Sequence, residues 1–555
     1  FSALNALTLS PALCALLLKP GHESASRFFQ GFNDLFTRAT TGYARIVSLG
    51  VRRVAIMMIL FVALLGITGV VYQRVPTGFL PLEDDGLIIV NVQMPDGAAL
   101  NRTYDTVLEA GKAIEETEGV LAWGALVGYS MIDAARSNLA TIFVPLKPWD
   151  ERLAKGRSRD VIMAEFAAKF NKIYEGVIFP FTLPPIIGLG TGGGFEMQLL
   201  DKGDVGFQAL GQAGTELSLA AGERPEFQSV VSTFRASYPN IFLDIDRAKV
   251  SALKVPLQSV FNTLQAYLGS AYVNDFNKFS RTWQVRVQAE SNFRRNPEDI
   301  SQLFVRSTTG EMIPLGTLLD VRYEVGPMRV DRYNLFPTVK ILGQQAHGYS
   351  SGQAISVMEQ LAQKLLPAGI SFEWTNMAYQ EKKAAGKGGV TFLAAVIVII
   401  LILAGLYESW ADPLAVVMIV PLAALGAALG LLITSMDNNV YTQVGLVLLV
   451  GLAAKNSILI VEFARAARAK GMGVFEAAVE ASNLRFRPII MTSLAFILGV
   501  LPLVTASGAG AVSRQSVGIV VFAGMIGVTS LGIFFTPSLY VFIQKFRRDK
   551  IIIQQ

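Results

Sequence analysis

The 555-residue chain has one cysteine, Cys14, so no intrachain disulfide can brace it, and any large soluble region must stand on its own core. Only two histidines occur, His22 and His347, far apart and without metal-site spacing. No Ser/His/Asp constellation accompanies them, which leaves poor material for acid–base or nucleophilic work. The glycine-rich run Pro184–Gly194 (PPIIGLGTGGG) is followed by no Lys-Ser/Thr pair, and no other segment supplies a phosphate-cradling loop. An ATP-driven pump would need that motif here or in a partner, so these glycines are expected to form a hinge or a close-packed turn. No enzyme activity, cofactor, metal or nucleic-acid partner is expected. Charge is scarce as well: 16% of residues are charged against 52% hydrophobic. With a mean hydropathy of +0.44, the chain is too apolar for a soluble protein of this length.

Seven stretches have the length and apolar character of membrane helices: Phe1–Leu18, Val54–Gln73, Gly388–Tyr407, Pro413–Met436, Val440–Glu462, Pro488–Gly510 and Val517–Gln544. The first opens without an initiator Met or the basic region of a signal peptide. It is read as a helix cut open, and the chain as the C-terminal part of something longer. One residue breaks the interior of Val440–Glu462: Lys455, with Glu462 near the end. A charge at that depth costs about 2.5–3.5 kcal/mol even on the lenient insertion scale, and such residues mark ion or proton pathways. The other runs contain no Asp or Glu, so the counter-charge is expected from protein outside this chain.

Basic residues set the orientation. Lys19, Arg27, Arg38, Arg45, Arg52 and Arg53 lie on one side, as do Arg465, Arg468, Lys470, Arg485 and Arg487, and Lys545, Arg547, Arg548 and Lys550; the opposite short loops carry only Arg514. The basic side is cytoplasmic, which places the long segment between Arg74 and Lys387 outside, in the periplasm of a Gram-negative host. Ser26–Arg53 spaces Phe28, Phe29, Phe32, Leu35 and Phe36 helically, as an amphipathic helix on the cytoplasmic face would.

In the exported segment, strands Leu87–Met94, Val120–Val127, Leu139–Leu146 and Gly176–Phe181 and helices Leu100–Thr117 and Arg159–Ile173 give the order βαββαβ, a ferredoxin-like unit. A second set begins with strand Phe195–Leu200, helix Val205–Ala221 and strand Gln228–Phe234. It resumes with strand Thr338–Gly343, helix Ser350–Leu365 and strand Ile370–Glu373, where Ser350 and Gln353 have capping-box spacing. The insertion at about 240–326 is strand-rich. The expected fold is a polytopic α-helical membrane protein with a large α+β periplasmic region.

Longer motifs carry a resemblance. GLAAKNSILIVEFA (Gly451–Ala464) and LRFRPIIMTSLAFILGVLPLV (Leu484–Val504) resemble the tenth and eleventh membrane helices of resistance–nodulation–division (RND) efflux pumps of the hydrophobe/amphiphile branch. LTLSPALCALLLKP (Leu7–Pro20), VPTGFLPLEDDG (Val75–Gly86), AYVNDF (Ala271–Phe276), RYNLFPTVKI (Arg332–Ile341) and LYESW (Leu406–Trp410) extend the similarity over nearly the whole chain. It implies that this is the second half of such a pump. The implied divisions are a truncated membrane helix (1–18), an amphipathic region (19–53), a membrane helix (54–73), a porter subdomain (74–189), a second porter subdomain (190–239 and 327–376), half of a docking domain (240–326), five membrane helices (388–544) and a cytoplasmic tail (545–555).

The resemblance further implies drug/proton antiport from the inner membrane, protons being the coupling ion. Lys455, Arg485 and Thr492 match the relay residues that face two aspartates, which would lie in the missing N-terminal half. Protonating a carboxylate would remove the counter-ion of Lys455 and let helices rearrange. Asn456 is left unassigned. Phe143, Phe179 and Phe181 match ring positions of the deep pocket, where aromatic area suits hydrophobic and amphiphilic substrates; filling a core is the alternative. Gly128–Asn138 matches the flexible loop between two pockets, with Tyr129, Met131 and Ile132 where the best-known members carry phenylalanines and glycines. Arg136 lines the pocket wall or faces solvent. A homotrimer, a periplasmic adaptor and an outer-membrane channel are the implied partners, besides the lipid bilayer. Two rivals remain. A heavy-metal exporter would line its path with methionines or carboxylates, and Met94, Met131 and Met197 are scattered along the sequence. A membrane-anchored receptor would have no use for Lys455.

Overall fold

A computed structural model describes residues 4–17, 27–133, 135–232 and 234–546. Expectations for Lys19, His22, the ends of Phe1–Leu18 and the tail beyond 546 lie outside the described residues, as do the side chains of Phe28 and Phe29. The chain divides into two compact units, one of 1–85, 348–353 and 380–555, the other of 86–347 and 354–379.

The first unit opens with the short apolar helix Asn5–Leu17. It continues with α1 (Arg27–Arg52) and α2 (Val54–Arg74). Helix α1 is amphipathic, and it buries Tyr43, Val47 and Val51, four residues apart, while Phe32, Leu35 and Ile46 stay exposed. Tyr43 stacks on Phe486 with ring centroids 4.5 Å apart, and its hydroxyl donates to Ile533 O at 2.9 Å.

In the second unit come β1 (Leu87–Gln93), α3 (Leu100–Glu115), β2 (Gly124–Tyr129), β3 (Ala135–Pro145), α4 (Arg159–Phe170) and β4 (Val177–Phe181). They form an antiparallel sheet in the order β2-β3-β1-β4. Alternation divides its faces. Ile88, Val90, Val92, Ile142 and Val144 pack on Val107, Ile114, Ile162 and Phe166 of the two helices. Ile89, Phe143, Phe179 and Phe181 occupy the other face. The expected strand Val120–Val127 is displaced: Val120 makes only an isolated bridge to Leu146, and pairing proper starts at Gly124.

Next are β5 (Phe195–Asp201), α5 (Phe207–Gly222), β6 (Phe227–Ser232), β7 (Tyr238–Ile245), β8 (Ala271–Lys278), β9 (Arg281–Val287), β10 (Leu319–Gly326), β11 (Asp331–Tyr333), β12 (Phe336–Gln345), α6 (Ser351–Leu365) and β13 (Ile370–Thr375). The second sheet runs β11-β12-β5-β13, with β6 also on β12. Strand β11 was not foreseen. Its hairpin turns on Asn334 and Leu335, both left-handed at φ 48° and 70°, where the sequence offers no glycine signal. The insertion is closed by β7 and β10, paired from Tyr238–Gly326 to Ile245–Leu319, over a core including Val260, Leu315 and Leu318. The capping box forms in both directions: Ser350 N–H donates to Gln353 Oε1 at 3.0 Å, and Gln353 N–H to Ser350 Oγ at 3.2 Å.

The chain then returns to the first unit through α7 (Asn376–Ala384), followed by α8 (Lys387–Tyr407), α9 (Ala411–Ile433), α10 (Val440–Ala469), α11 (Val474–Val504) and α12 (Ala511–Lys545). Among the described residues, α2 and α8–α12 are the six helices long and apolar enough to cross a membrane. Helices α9 and α12 approach closely through small residues; a Cβ on Gly426 would lie 2.6 Å from Ala523 O. Two expectations are corrected. Helix α11 runs through Pro488 rather than starting there. Residues 74–85 and 348–353 belong to the membrane-helix unit, because the 76–79 backbone is bonded to the segment before α10: Asn438 N–H donates to Pro76 O at 2.7 Å and Val440 N–H to Phe79 O at 3.0 Å.

Candidate functional site

Helix α10 buries one long stripe, from Leu446 through Leu449, Ala453, Ser457 and Ile460 to Ala464. Lys455 points the other way, on an exposed stripe with Val444, Leu448, Gly451 and Glu462. No ion pair forms at Lys455 among the described residues. Its Nζ instead sits over the Phe496 ring of α11, 4.7 Å from the centroid. Arg485 stacks on Phe463 with Cζ 3.4 Å from the centroid, and its buried Nε has no acceptor among the described residues. Arg485, Thr492 and Phe496 are seven and four residues apart, so they share one face of α11. Thr492 bonds back to Ile489 O at 3.1 Å. The structure therefore puts the three matched residues on facing helices without direct bonds among them. Asn456, left unassigned above, ties the helices together: its Nδ2 donates to buried Ser493 Oγ at 3.0 Å.

A second charged group was missed. The run Pro413–Met436 is free of acids, but the helix that contains it starts at Ala411 and so takes in Asp412, fully buried in the first turn of α9. Its Oδ1 accepts from Gln544 Nε2 at 2.6 Å, and its Oδ2 lies 3.4 Å from Arg465 Nε of α10. Arg465 also donates to Tyr407 O at 3.1 Å. Asp412 precedes Pro413, which reads as a loop, although proline is well suited to a first helical turn. The pair belongs to Arg465, which leaves Lys455 without it.

The three phenylalanines lie on the sheet face turned away from α3 and α4, so they do not fill the helix-backed core. Ile89 is opposite both Phe143 and Phe181, and the Phe179 and Phe181 rings are 6.2 Å apart. A small, half-open cavity of about 30 Å³ is lined by Phe179, Phe181, Ile132, Gly192–Gly194 and Leu342–Gln344. Gly194 serves close packing: a Cβ there would lie 2.1 Å from Gly343 O. Phe143 packs in the same apolar group but does not line the cavity.

Ile132 also lines a second, polar cavity of about 20 Å³, with Asp133, Arg136, Arg235, Arg329 and Lys340. Arg136 is on this wall rather than in solvent, its guanidinium 3.0 Å from Asp133 Oδ2. Arg329 reaches Asp133 at 3.2 Å and Asp331 at 2.6 Å. The hydrogen bond to Asp331 is the main cause that raises the Arg329 pKa. Hydrogen bonds pin the stretch 130–132. Ser130 Oγ donates to Asn91 Oδ1 at 2.7 Å, and Met131 N–H donates to Thr141 Oγ1 at 3.1 Å. Tyr129 stays exposed. Met94 and Met197 are buried in the cores of different sheets and Met131 packs elsewhere, so the three methionines line no common path.

The sequence matches the AcrB/AcrD/AcrF family over residues 1–544. It is 39% identical over 552 residues to the multidrug export protein AcrF of Escherichia coli K12, covering 98% of this chain and 53% of AcrF. The multidrug/solvent efflux pump membrane transporter MepB of Pseudomonas putida is 38% identical over 549 residues, 97% of this chain and 52% of MepB. The multidrug resistance protein MdtF of Escherichia coli K12 is 37% identical over 550 residues, 98% of this chain and 53% of MdtF. The chain spans about half the length of these curated relatives.

Proposed function

The chain belongs to the AcrB/AcrD/AcrF family, and from that membership we propose that it is part of a proton-driven exporter of hydrophobic and amphiphilic compounds. The observation that carries the reading is Lys455: a cation midway along a membrane-length helix, on an exposed stripe, paired with no carboxylate among the described residues. Lys455, Arg485 and Thr492 form the basic side of a proton relay. A pair of aspartates from further polypeptide supplies the acidic side. When a carboxylate there takes a proton, its attraction for Lys455 vanishes and α10 and α11 are free to shift, a two-state coupling of proton entry to transport.

Substrate binds against Phe179 and Phe181, with Phe143 supporting the face, and the stretch Tyr129–Arg136 separates an apolar cavity from a cationic one. The names of the relatives, multidrug and solvent efflux, support this substrate class. The working assembly is a homotrimer in a Gram-negative inner membrane, with residues 86–347 in the periplasm, joined to an adaptor and an outer-membrane channel. Protons are the coupling ion and no bound cofactor takes part.

Efflux of a fluorescent amphiphile from cells that depend on the pump tests the proposal. Lys455→Met is expected to abolish export with the protein still in the membrane at wild-type amounts. Export unchanged by Lys455→Met would refute the relay.

A further inference from the structure

Where α7 runs into α8, a carboxyl group is withdrawn from water without an ion pair among the described residues. Glu381 Oε1 accepts from the Ser351 hydroxyl at 3.0 Å. The same hydroxyl oxygen accepts from Phe79 N–H at 3.3 Å. The Phe79 carbonyl accepts from the N–H of Val440, the first residue of α10, at 3.0 Å. Three successive hydrogen bonds thus join Glu381 to the start of the helix that carries Lys455. The strip between them is pinned and tightly packed. Gly352 N–H donates to Thr77 O at 3.2 Å, and a Cβ on Gly352 would lie 2.5 Å from that oxygen.

Few charges act on Glu381. Asp437, in the turn before α10, repels its ionised form, and Lys382, next in α7, attracts it. Segments 76–79 and 350–352 contain no charged residue. Burial is the main cause that pushes the carboxyl from its ordinary 4.5 up to about 7; the repulsion from Asp437 adds to it and the Ser351 hydrogen bond opposes it.

We propose that Glu381 is a proton-operated latch over the start of α10. Protonated, the carboxyl stays buried and the strip 76–79 is closed on α10. Ionised, it is drawn toward water and the strip opens; the proton is exchanged with solvent and no covalent step is involved. The latch goes beyond the relay and does not rest on it, since Lys455 takes no part.

The sign follows from linkage. The open carboxyl titrates near its ordinary 4.5 and the closed one at about 7, so opening releases a proton between those values. The open fraction therefore rises about tenfold per pH unit across that window, then levels off above it.

Amide hydrogen exchange of the full chain in lipid nanodiscs, corrected for the intrinsic pH dependence of exchange, reads this directly. Amides of 77–79 and 438–443 are expected to lose protection as pH rises to about 7 and to plateau beyond. Glu381→Gln should stay protected with a flat profile. Asp437→Asn, which removes the repulsion, should bring the plateau to lower pH, and Lys455→Met should leave the profile unchanged. A wild-type profile without the step, or the same step in Glu381→Gln, overturns the latch. Should Glu381→Gln fail to fold, Asp437→Asn decides: an unshifted plateau counts against it.

Discussion

Lys455 and Arg485 show what a cation does when it has no carboxylate partner among the described residues: each lies against an aromatic ring, Phe496 and Phe463. Such contacts contribute roughly 0.5–2 kcal/mol, which holds a side chain in place without satisfying its charge. Phenylalanines on the two sheet faces should behave differently. Phe166→Ala removes a fully buried ring between helix and sheet and is expected to cost about 3–5 kcal/mol, seen as a lower melting temperature and less protein. Phe179→Ala, at the cavity wall, should leave the amount of protein intact and raise susceptibility to large aromatic drugs more than to small solvents. Ser350→Ala opens the capping box and should cost about 1 kcal/mol in unfolding experiments. Lys455 was legible in the sequence because a charge inside an apolar run needs no fold to be noticed. The spacing of Phe179 and Phe181 gave their common face, but only the register with Ile89 says which face it is.

Among the elements, α10 is held by its buried stripe and by Arg465 gripping Asp412 of α9, itself held by Gln544 of α12. Asp412→Ala takes the carboxylate from Arg465, whose side chain is 35% exposed, and the acceptor from buried Gln544, so it is expected to destabilise by about 1–3 kcal/mol in a thermal melt. Asp412→Ala combined with Arg465→Leu should recover much of that loss. The succession of strand-like runs and helical stretches was enough to read the βαββαβ order, and the Ser350–Gln353 spacing marked the start of α6. Strand β11 escaped because it is three residues long and turns on left-handed Asn334 and Leu335. The helix start at Asp412 escaped for a related reason: an acid beside a proline carries no hydrophobic signal, and only burial against Arg465 makes it part of a membrane helix.

Across the molecule, two carboxylates near the start of α10 make stability depend on pH. Glu381 has a raised value in the fold, so the stability it confers is complete below its ordinary 4.5 and is lost as pH rises to about 7. The loss is on the order of 3 kcal/mol at most. Glu381→Gln escapes it, so the variant should melt above wild type by a larger margin at pH 8 than at pH 5. The second unit has features that sequence patterns did not convey, among them the β8–β9 hairpin, exposed along both strands. A two-stranded hairpin is marginal alone in water.

The most direct measurement concerns Lys455 in the assembled pump. Proteoliposomes loaded with a pH-sensitive dye report proton flux as drug is added against an imposed pH gradient. Wild type is expected to show drug-stimulated proton movement, and Lys455→Met none, with drug binding to the outer unit unchanged. Drug-stimulated proton flux at wild-type rates in Lys455→Met would contradict the relay.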